Sequence, residues 1–165
     1  MANTLAVMLT ITTYGTWLRG DARGWVEDGV VFPPAPEIEA VDRLRMKHPV
    51  YLMPAESWLQ IGEWVGRSLR QRCEATVLAL FVGTWHVHAV VGANRFPVAA
   101  MAKCAKDAVR WGLRAGRPIW GEGYDKRYCY DARSVLSRIQ YVERHNLALG
   151  RPAQPWPFIE PPSFI

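Results

Sequence analysis

Hydrophobic residues fall into two rhythms along this chain. Residues 5–13 are rich in Val, Leu, Ile and Thr and alternate loosely, which predicts a buried strand ended by Tyr14-Gly15-Thr16-Trp17. Residues 76–82 and 85–91 are two further apolar, partly β-branched runs, and the Gly83-Thr84 step between them predicts an antiparallel hairpin. The second rhythm is helical. After Pro54, Trp58, Ile61, Val65 and Leu69 recur on one face to about Arg72, with Arg67, Arg70 and Arg72 mostly off it. Pro97 opens another such stretch, with Met101, Cys104, Ala108 and Trp111 at core spacing and Gly116-Arg117-Pro118 as its stop. A short strand is expected over 126–130 and a last helix from Ala132 to about Leu147. Asp131 is its expected N-cap, and Val135, Leu136, Ile139 and Val142 its buried stripe.

Between these elements lie two irregular regions. Residues 19–50 form a long connection punctuated by Gly20, Gly24, Gly29 and Pro33-Pro34-Ala35-Pro36, with a helical piece expected only near 37–46. Connections of this length are mostly functional or mobile. Arg19, Asp21, Arg23 and Trp25 give it groups suited to a nucleotide, and a solvated insertion is the competing reading. The tail, residues 151–165, holds Pro152, Pro155, Pro157, Pro161 and Pro162 and is expected to be an extended strap or disordered.

Composition narrows the class. A chain of 165 residues, half of them hydrophobic and 21% charged, has room for one globular domain with a sizeable core and not for two. The expected organisation is one domain over 1–150, interrupted by the 19–50 insertion and followed by the tail. No apolar run approaches the roughly 18 residues that span a membrane, and no basic stretch precedes the apolar residues 5–9, so no membrane partner and a cytoplasmic location are expected. The three cysteines, Cys73, Cys104 and Cys129, are odd in number and widely spaced, which predicts free thiols.

Charge adds a direction. Of the Lys and Arg residues, eleven lie between Lys103 and Arg151 against five Asp and Glu, while the rest of the chain carries nine against ten. The net charge of +5 therefore belongs to the C-terminal third. Lys103, Lys106, Arg110 and Arg114 make one helical stripe, readable as a solvated face or as a face that follows a phosphate backbone.

The candidate chemistry centres on His86-Val87-His88. Residues two apart on a strand share a face, so both imidazoles can reach one ion; a pair of satisfied core histidines is the competing reading. The chain has four histidines, and a third, His145, lies four residues after Tyr141 in the predicted last helix. Residues four apart stand one above the other on a helix, so a third nitrogen ligand and a phenol share one helical face, with Ser134 and Arg138 in line. A nucleophile is thereby brought beside a metal-bound electrophile, or else Tyr141 is a rim aromatic and His145 a surface residue.

His-hydrophobic-His on a strand, followed by Ile139-Gln140-Tyr141-Val142-Glu143-Arg144-His145-Asn146 on a helix, resembles the HUH single-strand transposases of the one-tyrosine class. Within that class the chain is most similar to the REP-associated tyrosine transposases, which Thr12-Thr13-Tyr14-Gly15-Thr16-Trp17-Leu18 and Ile119-Trp120-Gly121-Glu122-Gly123-Tyr124 also resemble. The resemblance spans residues 5 to about 150. It implies an α+β fold, ferredoxin-like, with a central antiparallel sheet and packed helices. It also implies His86, His88 and His145 as ligands of a divalent metal, Mg²⁺ or Mn²⁺, with Tyr141 as the catalytic nucleophile. The implied activity is endonuclease and strand transferase on hairpin-bearing single-stranded DNA, through a 5′-phosphotyrosine, by a monomer or a homodimer. Lys103, Lys106, Arg110, Arg114, Arg138 and Arg19 are the expected DNA contacts. Two departures stand out: Asn146 is followed by Leu147 where the group often has Pro, and the 19–50 insertion is longer than in the shortest members. From another class, a non-catalytic single-strand-binding domain on the same scaffold would use the eight Trp and six Tyr for base stacking.

Overall fold

The central sheet grows outward from β1 (Ala6–Thr12), whose two faces are buried under different helices. The computed structural model describes residues 3–164. After β1 come a short hairpin of β2 (Trp25–Glu27) and β3 (Val30–Phe32) and helix α1 (Pro36–Arg45). A single 3₁₀ turn (Ala55–Ser57) leads into α2 (Trp58–Arg72), and the chain continues through β4 (Val77–Val82), β5 (His86–Gly92), α3 (Val98–Leu113), β6 (Asp125–Cys129) and α4 (Ala132–Ala148). The four long-range strands pair antiparallel in the order β4-β5-β1-β6. With the insertion set aside, the chain runs β-α-β-β-α-β in the ferredoxin-like order and ends in α4, and the α+β class and antiparallel sheet expected from sequence are observed.

Alternation along the strands sorts the side chains into two cores. Val7, Leu9 and Ile11 of β1 and Val87, Ala89 and Val91 of β5 pack with α2 and α3. Ala6 and Met8, together with Ala79, Phe81 and Val90, pack with Val135, Ile139 and Val142 of α4. Because the strand period is two, His86 and His88 share the face of Val90, the face that α4 covers. β4 is an edge strand. Its Leu80 carbonyl accepts from the Asn146 side chain at 2.9 Å and its Val77 carbonyl from the Glu160 backbone at 3.0 Å, so the edge is covered.

The helix stripes differ from the expected ones in two places. On α3 the buried apolar residues are Met101, Ala102, Ala105 and Val109, and Trp111 is exposed with the Arg72 guanidinium over its ring. The true apolar stripe is rotated toward the small residues, because alanines let α3 approach α2 closely. On α4, Leu136 is exposed and Asn146 takes the fourth buried position, bonding Leu80 and Ala153. Asp131 caps α4 as expected, accepting from the Ser134 backbone at 2.7 Å in a reciprocal capping box.

The insertion contains a hairpin that the sequence reading passed over. Asp28 and Gly29, at φ 49° and 77°, turn β2 into β3. Both left-handed positions suit the Asp-Gly pair of a two-residue hairpin loop. Among the described residues of the tail, no strand or helix forms, yet Trp156, Phe158 and Ile159 are buried against the α2 side of the core. Gly62 and Gly66, one turn apart on α2, make room for the Trp156 and Phe158 rings: a Cβ at either glycine would lie 2.0 Å from them. The three thiols are free, and α2 and α3 bring two of them, Cys73 and Cys104, to 3.3 Å. No helix of the described residues is long and apolar enough to cross a membrane.

Candidate active site

β5 and α4 bring three histidines together. His86 and His88 project from one face of β5, and His145 comes down from α4, so that one ligand nitrogen from each lies within 4.8 Å of the others. The ring centroids of His86 and His88 are 4.6 Å apart, and those of His88 and His145 5.0 Å. Phe81, paired with His88 across the β4–β5 ladder, forms the floor beneath all three rings. Tyr141 lies one turn before His145, its ring 4.6 Å from the His145 ring and 5.5 Å from that of His88. It is the one tyrosine among the described residues whose ring lies against the histidines. Tyr124 lines a cleft beside α3, and Tyr128 and Tyr130 lie against each other on and just after β6. His48, the fourth histidine, packs against Tyr14 instead.

The hydrogen bonds decide which nitrogens are available. His145 Nδ1 lies 2.9 Å from the Tyr141 carbonyl oxygen, which can only accept. Nδ1 therefore carries the proton and Nε2 keeps its lone pair. His88 Nδ1 is 2.7 Å from the Thr10 hydroxyl, and when it donates there its Nε2 is free in the same way. His86 Nδ1 is buried and has no partner among the described residues. Burial, with His145 and Arg23 nearby, pushes His86 down to about 4; burial, with His86 and His145 nearby, pushes His88 down to about 3. Both rings are neutral at neutral pH, the form a metal requires. Three converging imidazoles, one with an orphaned buried nitrogen, fit a divalent ion and leave its remaining positions to water or a phosphate oxygen.

The sequence matches no protein-family model and no curated protein. Its structure does have a solved counterpart, a REP-associated tyrosine transposase determined bound to a REP hairpin, with a TM-score of 0.56 at 9% identity over 96% of this chain and 78% of that one. The chain shares the fold of that transposase. A candidate transposase from Deinococcus radiodurans R1 aligns over 88% of this chain and 93% of its own, at 15% identity and a TM-score of 0.42.

The basic residues expected to contact DNA are scattered. Arg138, one turn before Tyr141 on α4, is half-buried and forms no ion pair among the described residues. Lys103, Lys106 and Arg110 belong to α3, with Arg114 at its C-cap, on the other face of the sheet from the histidines. There the buried Asp107 carboxylate joins Lys103 and Arg110, each at 2.6 Å. The Lys106 ammonium donates to the Gly121 and Gly123 carbonyls at 2.9 and 2.6 Å, and burial lowers its pKa. Arg114 closes α3 in a left-handed conformation, φ 49°. Arg19 is tied to Asp42 at 2.7 Å and to Glu27 at 3.4 Å, which holds its pKa up.

Three residues of the site escaped the sequence reading. Thr10 orients His88, Phe81 supports the rings, and Asn146 fastens α4 to β4 one residue after His145. Only Asn146 left a signal: it continues the 135, 139, 142 spacing as a polar residue on a buried stripe, where it must be hydrogen-bonded.

Proposed function

We propose that this protein is a metal-dependent endonuclease and strand transferase acting on single-stranded DNA that carries a hairpin. The observation that carries this reading is the placement of Tyr141 and His145 one turn apart on α4, against His86 and His88 of β5. One rigid helix thus fixes nucleophile and ligand together, which is what an in-line displacement demands.

His86, His88 and His145 hold the ion. When bound, it supplies a Lewis acid that offsets charge gathering on the non-bridging phosphate oxygens. An all-imidazole donor set favours Mn²⁺ over Mg²⁺, which prefers oxygen ligands and gives up its water reluctantly. Tyr141, exposed on the outer side of the histidines, attacks the phosphorus through its phenolic oxygen. The new O–P bond forms as the bond to the 3′-oxygen breaks; the phenolic proton passes to solvent, and the departing oxygen takes one up as a 3′-hydroxyl. A 5′-phosphotyrosine remains, and attack by a 3′-hydroxyl in the reverse sense rejoins a strand and frees the tyrosine. A phenol with a pKa near 10 is a weak nucleophile at neutral pH, so a nearby cation is needed. Arg138 and Arg144, three residues to either side of Tyr141 on α4, are the cations that could add positive charge beside it.

DNA contact by Arg138, Arg19 and the α3 set of Lys103, Lys106, Arg110 and Arg114 belongs to this proposal. The hairpin substrate is in keeping with the transposase of the same fold, solved on a REP hairpin. Incubation with hairpin-bearing single strands and Mn²⁺, followed by denaturing electrophoresis, tests the reading through a covalent protein–DNA band. No adduct with any such strand leaves a binding domain on a nuclease scaffold.

A further inference from the structure

The loop after β1 builds a second concavity beside the histidines. Tyr14, Trp17 and Trp120 wall a cleft of about 620 Å³ between this loop, α1 and the 118–122 segment. That volume takes one small organic molecule. The charges around it decide which kind. Two cations, Arg19 and Arg45, meet three carboxylates, those of Glu27, Asp42 and Glu122, and Arg19 is already committed to Asp42 and Glu27. Such a lining repels a phosphate and welcomes N–H donors, while the aromatic walls take a flat ring. A nucleobase has this combination of a π face and a donor-bearing edge.

A stack of side chains joins the cleft to the histidines. Trp17, on the cleft wall, has the Arg23 guanidinium over its ring at 3.8 Å, and the same guanidinium lies 5.0 Å from the Trp85 ring. Trp17 and Trp85 are 5.9 Å apart, and Trp85 lies 3.8 Å from His86. Arg23 is fixed from behind: the buried Asp21 accepts from its Nε and Nη2 at 2.7 Å each, and the Thr16 carbonyl accepts from Nη2 at 2.7 Å. Its Nη1 has no such partner among the described residues. A planar cation held this way presents one amino group to an anion at low entropic cost. It lies between Trp17 of the cleft wall and Trp85, which packs on His86.

We propose that the cleft is a pocket for one unpaired base of the strand that is cut at the histidines, with Arg23 on the phosphate between them. The pocket rests on the nuclease reading and adds to it a base-selecting site. Guanine, whose adjacent ring and exocyclic N–H donors match the two oxygens of one carboxylate, ranks first. Thymine, with one N–H between two carbonyls, ranks last.

The test uses the full chain carrying Tyr141→Phe, so that no strand is cut, and measures fluorescence anisotropy with Mn²⁺. The probes are oligo(dT) and three copies with a single internal guanine, adenine or cytosine. The guanine strand is expected to bind at least about tenfold tighter than oligo(dT), a difference within the reach of one stacked and hydrogen-bonded base. Trp17→Leu and Glu122→Gln should each remove that preference, and Glu122 lies exposed at the rim, where its replacement leaves the melting temperature unchanged. Equal affinity for all four strands, or a preference that survives both substitutions, overturns the pocket. Adduct formation is scored separately with Tyr141 intact. An adduct without base preference removes the pocket and leaves the nuclease standing; a preference without any adduct keeps the pocket and removes the cleavage.

Discussion

Thr10 and His88 stand opposite each other across the β1–β5 ladder, with the threonine hydroxyl 2.7 Å from His88 Nδ1. That bond sets the orientation of the ring and turns its other nitrogen toward the metal position. Thr10→Val keeps the shape and removes the partner. Mn²⁺ affinity is expected to fall by about 10- to 100-fold, the usual cost of losing a bond that orients a ligand. Calorimetric titration reads this directly, and unchanged affinity would show that His88 is held without Thr10.

Metal and fold are linked because the site exists only in the folded chain. At free Mn²⁺ about 100 times its dissociation constant, stability should rise by about 2.7 kcal/mol, visible as a higher melting temperature. Mg²⁺ at equal concentration should raise it less. The rise should vanish in His86→Ala and in His88→Ala. If either variant keeps the full shift, the ion is bound elsewhere.

Gly66 on α2 faces Phe158 of the tail, with no room for a methyl group. Gly66→Ala is expected to destabilise the fold by about 1–3 kcal/mol through overpacking, despite the better helix propensity of alanine. Urea unfolding measures it. A neutral or stabilising result would mean that the tail does not dock on this stripe.

Arg138 and the α3 cations lie on opposite faces of the sheet, so they report on different paths for the strand. With Tyr141 at the active site, Arg138→Gln should weaken single-strand binding and lower the magnitude of its salt slope by about 0.7. Lys106→Met, which removes an ammonium already shared with two backbone carbonyls, should lower it by less. The opposite pattern would route the strand along α3.

The four strands of the central sheet, the pairing of β4 with β5 and the four helical stretches were legible because their signals are local: β-branched runs, the Gly83-Thr84 turn, and apolar residues at helical spacing. The His86–His88–His145–Tyr141 set was legible for the same reason, each half lying within a few residues of sequence. What escaped depends on partners distant in the chain. Thr10 meets His88 only through strand register, and the α3 stripe is fixed by how closely α2 approaches. The tail was left open because proline-rich sequence does not show that Gly62 and Gly66 have cleared a groove for Trp156 and Phe158. The β2–β3 hairpin is different, since Asp28-Gly29 is a strong turn signal that was present and unused. The basic stripe is the instructive case, for spacing placed Lys103 and Arg110 on one face but could not show that Asp107 is buried between them.

The central claim is that Tyr141 attacks DNA. The decisive measurement compares wild type with Tyr141→Phe on hairpin-bearing single strands in Mn²⁺, followed by peptide mapping of any covalent adduct. Wild type should form a 5′-linked adduct on the α4 peptide that contains Tyr141. Tyr141→Phe should form none, while its strand affinity and melting temperature stay close to wild type, because only a hydroxyl is lost. An adduct that persists in Tyr141→Phe, or one that maps to Tyr124, Tyr128 or Tyr130, would contradict the account.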